Sequence, residues 1–323
     1  MIDTIKIILM PKDLGFSWDV EEIKSNLQPV ENFNRDGYKP LGRIKNMYVF
    51  GNSQVLKIEG SLAKYYNKNN IEIFDWRFVK RAITLLSLEL GLPLEKGKIS
   101  RIDVGANISV NFNVSDYFSE LVFLEYYQRI NRHKTTLRFE NNSFRINFLI
   151  YDKLRDYTNK GKLIKDVIPR LPNVENLMRI ELQIQERVSQ ITGKKDLRVS
   201  DLFSQHLCKL LMRKWLESYQ NIHKKAVLIY PVSFRGNSDF EKFIKRYMVQ
   251  TVGWAVLDYI MKKAVIQGSL SPSDKSKKLK QFRLAMLDNS NFEFQEHTLE
   301  LNHKVKLMYV ESLKQIFKLN LKS

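Results

Sequence analysis

A tyrosine and a lysine stand two residues apart in segment 143–153, as Tyr151 and Lys153. Apolar and polar residues alternate along this segment, which predicts a strand with both side chains on one face. Segment 136–140 alternates in the same way, and residues 140–143 favour a turn, so the two segments should form a hairpin. A tyrosine hydroxyl can act as a covalent nucleophile, but its free pKa of ~10 means that it needs help at neutral pH. Lys153 could lower that pKa or bind a phosphate.

Acids and arginines recur on the polar faces of three other predicted strands. They are Glu59 in segment 54–59, Arg101 and Asp103 in segment 100–112, and Arg179 and Glu181 in segment 177–185. Carboxylates are the ligands that a hard cation such as Mg²⁺ prefers. Each arginine precedes an acid by two residues, so it could pair with that acid or clamp a phosphate. The residues alone leave two readings open, a catalytic face and a merely solvated one.

The charge and the cysteine content restrict the class of protein. The 323 residues carry a formal net charge of +18, with a pI near 9.7, which favours a polyanionic partner, nucleic acid first and an anionic membrane second. The single cysteine, Cys208, excludes a disulfide framework and a thiolate zinc cluster within the chain. We find no signal-peptide pattern and no apolar run of membrane-spanning length, so we expect a soluble, intracellular protein.

The periodicity changes near Gly193. Before it, helical spacing is visible in segments 75–90 and 115–130 among the strands; after it, segments 200–218, 240–264 and 304–318 are helical in pattern. We therefore predict an α+β fold. Residues 1–193 should form a two-layer domain, with a mainly antiparallel sheet covered by helices on one face. Residues 194–323 should form a mostly helical domain.

A basic stretch lies within the second predicted domain. Segment 262–283 holds seven basic residues and one acid, with glycine, serine and proline in its middle. We predict a flexible cationic loop that contacts phosphate. Its candidate lysines are Lys275, Lys277, Lys278 and Lys280.

Four short motifs resemble those of a known family in their order and spacing. They are Val-Leu-Lys-Ile-Glu-Gly-Ser-Leu-Ala-Lys at 55–64, Ile-Ser-Arg-Ile-Asp at 99–103, Thr-Thr-Leu-Arg-Phe at 135–139 with Ile-Tyr-Asp-Lys at 150–153, and Leu-Met-Arg-Ile-Glu at 177–181. Together they resemble the gene II replication initiators of filamentous phages and their plasmid relatives. The resemblance covers roughly residues 50–200 and is loose beyond them.

The resemblance implies a nicking-closing endonuclease that starts rolling-circle DNA replication in the cytoplasm of a bacterial host. Tyr151, assisted by Lys153, would cut one strand at a replication origin, leaving a 5′-phosphotyrosyl bond that is later resealed. Asp103 and Glu181, with the more variable Glu59, would bind Mg²⁺ or Mn²⁺, since the chain has no His-x-His motif. The partners would be single- and double-stranded origin DNA and a host helicase. Residues 1–193 would then be the catalytic nickase domain, and residues 194–323 a DNA-binding or accessory domain.

Two alternatives and three further tyrosines remain to be considered. A non-enzymatic origin-binding initiator or repressor would use the same sheet without nicking. A tyrosine recombinase is disfavoured, because the chain has no His-x-x-Arg and that chemistry needs cations rather than acids. Tyr157, expected in a loop, and Tyr126 and Tyr127, expected on a helix, could be second nucleophiles, but packing or base stacking suits them better.

Overall fold

The computed structural model describes residues 2–30, 40–72, 74–132, 135–143, 145–159, 174–186, 188–229, 232–288 and 291–317. Within these residues a nine-stranded sheet is the largest feature, and all of its strand pairs are antiparallel. Its strands are β1 (Ile2–Leu9), β2 (Gly42–Ile44), β3 (Met47–Gly51), β4 (Leu56–Ser61), β5 (Lys98–Val110), β7 (Gln128–Arg132), β8 (Thr136–Asn141), β9 (Ile146–Asp152) and β10 (Asn176–Gln185). The order across the sheet is β2-β3-β4-β1-β5-β10-β9-β8-β7.

Two smaller two-stranded sheets and twelve α-helices complete the described residues. The small sheets pair β6 (Leu121–Leu124) with β11 (Ile222–Lys224), and β12 (Val227–Leu228) with β13 (Phe292–Glu293). The helices are α1 (Pro11–Leu14), α2 (Val20–Ser25), α3 (Leu62–Asn67), α4 (Arg77–Leu90), α5 (Asp116–Glu120), α6 (Lys153–Asn159), α7 (Val188–Thr192), α8 (Gln205–Gln220), α9 (Asn237–Val252), α10 (Trp254–Ile266), α11 (Pro272–Ala285) and α12 (Glu296–Phe317). The α+β class is confirmed. None of the described helices has the length and apolar composition needed to span a membrane.

The alternation of residues in the sequence explains the sheet and its core. Ile102, Val104, Ala106 and Ile108 of β5 are buried, as are the alternate apolar residues of β1, β9 and β10. Helices from the second half of the chain pack on this sheet. The indole nitrogen of Trp215 in α8 donates a 3.1 Å hydrogen bond to the carbonyl of Ile180 in β10, and α12 packs on both α8 and β5. The two halves therefore share one hydrophobic core.

The predicted hairpin and the other predicted strands are present, with ends shifted by a few residues. Segment 143–153 forms β9 from Ile146, while Phe144 lies outside the described residues. Helix 75–90 is confirmed as α4, and it ends at Gly91, whose φ of 70° suits a glycine. Segment 240–264 is interrupted at Gly253, whose φ is 90°, and it therefore forms two helices, α9 and α10.

The predicted helix over 115–130 is wrong. Only α5 is helical there, and the chain then continues as β6 and β7. The apolar run Leu-Val-Phe-Leu at 121–124 fits a short strand as well as a helix. The segment pairs with β11, in which Ile222 lies opposite Leu124, and this pairing makes it a strand. Tyr126 and Tyr127 therefore lie in the turn between β6 and β7 and not on a helix.

The predicted flexible loop at 262–283 is also wrong, because most of that stretch is helical. Helix α11 begins after Ser271, whose hydroxyl accepts a 3.0 Å hydrogen bond from the backbone N–H of Asp274, and Pro272 occupies the first helical position. This is favourable N-terminal chemistry. The lysines that follow are good helix formers even without an apolar stripe.

Candidate active site

The polar face of the sheet carries the predicted site residues in adjacent rows. On β10, Arg179 lies opposite Tyr151 of β9 on one side and Asn107 of β5 on the other. Two residues along β10, Glu181 lies opposite Gly105. The central strands thus place the candidate nucleophile beside a cation and an acid.

Arg101 binds two of the predicted acids at once. Its Nε and Nη2 donate to Asp103 at 2.9 and 2.6 Å, and its Nη1 donates to Glu59 at 3.2 Å. Lys6 also lies 3.5 Å from Glu59. Asp103 is completely buried; burial and the nearby Glu181 raise its pKa to about 8, against the opposing effect of Arg101. The arrangement corresponds to the structural pairing of Arg101 with its acid, one of the two alternatives that the sequence left open.

Arg179 is held in the same way by three groups on three strands. Its Nε donates to Glu181 at 2.9 Å, its Nη1 to Asn107 at 3.0 Å and its Nη2 to Asp3 at 2.7 Å. The side chain is about 5% exposed. Burial lowers the Arg179 pKa, but the surrounding anions, Asp3 first, outweigh burial and raise it above the ordinary value. Its guanidinium is therefore a fixed, permanently charged group.

Asp3 is the site residue that the sequence analysis missed. Its carboxylate accepts hydrogen bonds from Ser61, Asn70 and Arg179. Burial raises the pKa of Asp3, but Arg179 and Ser61 outweigh it and lower that pKa to about 2. In strict alternation Asp3 would lie on the apolar face with Ile5. A β-bulge, in which three residue steps of β1 span two of β5, turns it to the polar face.

Gly105 leaves room for Arg179. A Cβ at this position would lie 3.0 Å from Arg179 Nη2 and 3.2 Å from the carbonyl oxygen of Ile180. A side chain at residue 105 would therefore crowd the guanidinium where it lies over β5, and glycine avoids this. A glycine in the middle of a long apolar strand is the sequence signal that indicates such a close approach.

Tyr151 and Lys153 come together, but by a different route from the one predicted. Strand β9 ends at Asp152, and Lys153 is the first residue of α6 and not part of the strand. Its ammonium nevertheless lies 5.7 Å from the centre of the Tyr151 ring and 3.5 Å from Asp156. Lys153 is buried, and burial together with Arg179 lowers its pKa to about 8. Burial raises the pKa of the half-buried Tyr151 well above 10, and Arg179 opposes that rise.

The other candidate tyrosines have different environments. Tyr157 is on α6, where it packs with Ile71 and Leu177, so the predicted loop at this position is wrong. Tyr126 and Tyr127 follow β6, between two grooves. Among these tyrosines, only Tyr151 lies opposite Arg179.

The acids as arranged do not fit a divalent cation. Asp103 and Glu59 bind Arg101, whereas Glu181 accepts from Arg179 and from Gln183 at 2.8 Å. Within the described ranges, no three His, Cys, Asp or Glu side chains are gathered as a metal site requires. A cation would have to displace a guanidinium from a buried carboxylate. The predicted binding of Mg²⁺ or Mn²⁺ by Asp103, Glu181 and Glu59 stays a prediction.

The four lysines of the basic stretch do not share one environment. Lys275 lies 3.0 Å from Asp258, and Lys277 lies 3.8 Å from Asp274. Lys278 and Lys280 are exposed, and Lys280 lines a groove with Tyr126 and Tyr127. The predicted phosphate contacts of these lysines stay predictions, and the structure separates Lys280 from the two that pair with acids.

Comparison with known proteins gives the family. Residues 39–205 match the family model for the N-terminal region of the phage gene II replication-associated protein. That range is more than half of the 323 residues. The chain belongs to this family. The match confirms the resemblance to the phage gene II replication proteins. The matched range contains every site residue that the sequence predicted on the sheet. Asp3, which the sequence analysis missed, lies outside that range.

Other comparisons are more distant. The chain is similar to a solved structure of the rolling circle replication initiator protein from Geobacillus stearothermophilus, with 12% sequence identity and a TM-score of 0.39. The similarity covers 74% of this chain and 89% of that one. No curated protein matches the sequence. The replication-associated family is therefore assigned by the match over residues 39–205.

Proposed function

We propose that this replication-associated protein initiates rolling-circle replication by nicking one strand at a DNA origin, with Tyr151 as the nucleophile. The observation that carries the proposal is the position of Tyr151. Tyr151 pairs with Arg179 in the β9–β10 register, the charge of Arg179 opposes the rise of the Tyr151 pKa, and the Lys153 amine is 5.7 Å from the Tyr151 ring. A nucleophile near a fixed cation and near an amine that can accept its proton suits attack on a phosphodiester.

In the nicking step, the Tyr151 oxygen forms a bond to phosphorus and the bond from phosphorus to the 3′ oxygen breaks. The products are a 5′-phosphotyrosyl bond and a 3′ oxygen that takes a proton from solvent. The tyrosine proton must also leave, and a pKa well above 10 means that little tyrosinate forms by itself. Lys153, with its pKa near 8, is partly neutral at mildly alkaline pH and takes that proton.

Arg179 acts on this step without leaving its partners. Because its hydrogen bonds go to Glu181, Asn107 and Asp3, it is held as a preorganised charge beside Tyr151. Such a charge stabilises the tyrosine oxygen as it loses its proton, with no cost of reorganisation during the reaction. Arg179 is therefore a positioning and electrostatic residue in this proposal, not a ligand that grips the phosphate.

The closing step is the reverse of the nicking step. A second 3′-OH attacks the phosphotyrosyl phosphorus, and Tyr151 leaves with a proton returned to it. Because the covalent bond conserves the energy of the phosphodiester, no nucleotide cofactor is consumed. Strand separation ahead of the nick belongs to a helicase supplied by the host in this proposal.

The proposal is tested by incubating supercoiled origin DNA with the parent, Tyr151→Phe and Tyr157→Phe proteins. The parent and Tyr157→Phe should give nicked circles and an SDS-stable protein–DNA adduct, whereas Tyr151→Phe should bind the DNA and give neither. An adduct formed by Tyr151→Phe would overturn the assignment of the nucleophile. Origin binding by the parent without nicking, in Mg²⁺, Mn²⁺ or EDTA, would instead favour the non-enzymatic initiator or repressor.

A further inference from the structure

A column of stacked planar groups runs between the sheet region and the C-terminal helices. His223 stacks on Phe123 with ring centres 4.1 Å apart, and Phe123 stacks on Trp254 at 4.2 Å. The guanidinium of Arg283 follows, 5.4 Å from the Trp254 ring and 5.4 Å from the ring of Tyr126. Tyr126 is the outermost group and is 76% exposed. The Tyr126 ring is therefore exposed to solvent on one face and contacts the Arg283 guanidinium on the other side.

The backbone at Tyr126 is unusual. Its φ is 67°, in the left-handed region that a bulky residue rarely adopts. Backbone strain of this kind persists where the surrounding structure imposes it, and it is concentrated at binding and catalytic sites. Here the neighbouring Glu125 forms a 3.0 Å ion pair with Arg283, which fixes the turn against α11. The turn therefore holds Tyr126 outward at a conformational cost.

Grooves open on both sides of this turn, and Tyr126 and Tyr127 line both. The first groove has a volume of about 860 Å³ and the second about 970 Å³. Cations outnumber acids in each: Lys280, Arg283 and Lys306 against Glu125 in the first, and Arg129, Lys225 and Lys262 against Asp258 in the second. The Nε of Arg283 is buried and makes no hydrogen bond within the described part of the chain. The surface is thus suited to a polyanion with planar groups.

We infer that these grooves bind a segment of single-stranded DNA, with one unpaired base stacked on Tyr126 and neighbouring phosphates on Lys280 and Lys306. The inference rests on the proposed function, which makes DNA the substrate. Stacking on an exposed ring requires a base with a free face, which a duplex does not offer, and such stacking tolerates any sequence. The partner is therefore the separated strand and not the paired origin.

The position of the grooves relative to Tyr151 suits one continuous strand. Tyr151 lies opposite Thr136, which lies opposite Arg132 on β7. Gln128, at the other end of β7, lines the second groove. Four residues along a strand and two strands across correspond to a separation on the order of 16 Å. A few nucleotides of extended DNA can bridge such a gap between the nicking site and the grooves.

The first experiment measures binding of a fluorescent oligothymidine by anisotropy to the full-length protein. Tyr126→Leu should bind roughly 5- to 150-fold more weakly, since base stacking contributes ~1–3 kcal/mol per base. Tyr126→Trp keeps a stacking surface and should restore binding, which separates loss of the ring from distortion of the turn. Tyr247→Leu removes an exposed tyrosine of α9 that lines neither groove and should match the parent.

The second experiment compares two exposed lysines of α11, only one of which lines the groove. Lys280 lines the groove, whereas Lys277 is 73% exposed and pairs with Asp274. Lys280→Gln should flatten the log–log salt dependence of oligothymidine binding by ~0.7, the value for one phosphate contact in a single strand. Lys277→Gln should leave the slope unchanged. Equal slopes for the two variants, or parent-like binding by Tyr126→Leu, would overturn the inference.

Failure of this inference and failure of the proposed function give different results. If the parent forms the Tyr151 adduct and Tyr126→Leu binds oligothymidine normally, the groove proposal is rejected and the nickase proposal stands. If the parent binds oligothymidine through Tyr126 but forms no adduct, the nickase proposal is rejected and the single-strand-binding groove stands.

Discussion

Asp3 and Arg179 form a buried ion pair, with 2.7 Å between the Asp3 carboxylate and Arg179 Nη2, and this pair ties the first strand to the strand beside the nucleophile. Both side chains are less than 10% exposed. Because Arg179 lies opposite Tyr151, the orientation of its charge depends on a residue that is distant in the sequence. Asp3 also lies outside the range of the family match.

Replacing Asp3 by Asn should destabilise the fold and slow nicking. The Arg179 charge would lose its closest anion, and breaking a buried pair typically costs about 3–5 kcal/mol. Urea denaturation measures the stability, and single-turnover cleavage of a short single-stranded substrate measures the rate. The matched control is Asp196→Asn, which breaks the exposed pair with Lys98 and should change neither quantity noticeably. Parent-like stability of Asp3→Asn would show that Asp3 does not hold Arg179.

Asp3 should also make the fold sensitive to acid. Its pKa is about 2 in the folded protein against 3.8 for the free group. A lowered carboxyl pKa adds stability that is fully present above pH ~4 and is lost as the pH falls through ~2, on the order of 2 kcal/mol. Stability measured by denaturant titration between pH 5 and pH 2 should therefore fall less steeply for Asp3→Asn than for the parent. Identical slopes would contradict the lowered pKa.

The strands and most of the active-site face could be predicted from the sequence because alternation with period two is a strong local signal. Asp103, Arg179, Glu181 and Tyr151 were placed on polar faces by that signal alone. Asp3 was missed because a bulge breaks the alternation in β1, and a bulge depends on the neighbouring strand. Lys153 lies near Tyr151 because the chain turns from β9 into α6 at this point. The alternation of residues along a strand does not predict such a turn.

The predictions for segments 115–130 and 262–283 were wrong for two different reasons. The apolar run at 121–124 is locally ambiguous, and only its pairing with β11, about a hundred residues later, makes it a strand. Helix α11 has almost no apolar stripe, so periodicity could not find it, although the Ser-Pro-x-Asp start at 271–274 was a usable signal. The first error needed tertiary information, whereas the second did not.

The nicking rate should rise as the pH passes through about 8. Lys153 accepts the tyrosine proton only when it is neutral, and a lowered pKa makes the neutral fraction grow between pH 7 and pH 9. Lys153→Arg keeps the charge but cannot accept a proton, so the rate should fall by ~10²- to 10⁴-fold and the rise should disappear. Single-turnover rates from pH 6 to pH 9.5 test this, with Lys98→Arg as the surface control. A parent rate that does not depend on pH would exclude Lys153 as the base.

The last prediction concerns the competition between Arg101 and a metal for the same carboxylates. In the parent, Arg101 donates to both oxygens of the fully buried Asp103 and to Glu59. Arg101→Met should destabilise the protein by about 1–3 kcal/mol, because the buried carboxyls of Asp103 and Glu59 lose the hydrogen bonds that Arg101 donates. The two Asp103 oxygens that accept from Arg101 in the parent could then bind a divalent ion.

Millimolar Mn²⁺ should therefore raise the melting temperature of Arg101→Met by several degrees and that of the parent much less, because a ligand stabilises only the state that binds it. Arg101→Lys retains one charge near the acids and should respond in between. Differential scanning fluorimetry in Mn²⁺ and in EDTA measures all three proteins. An equal stabilisation of the parent and Arg101→Met would mean that the metal displaces Arg101 from Asp103 in the parent. That result would support the predicted metal binding by Asp103, Glu181 and Glu59.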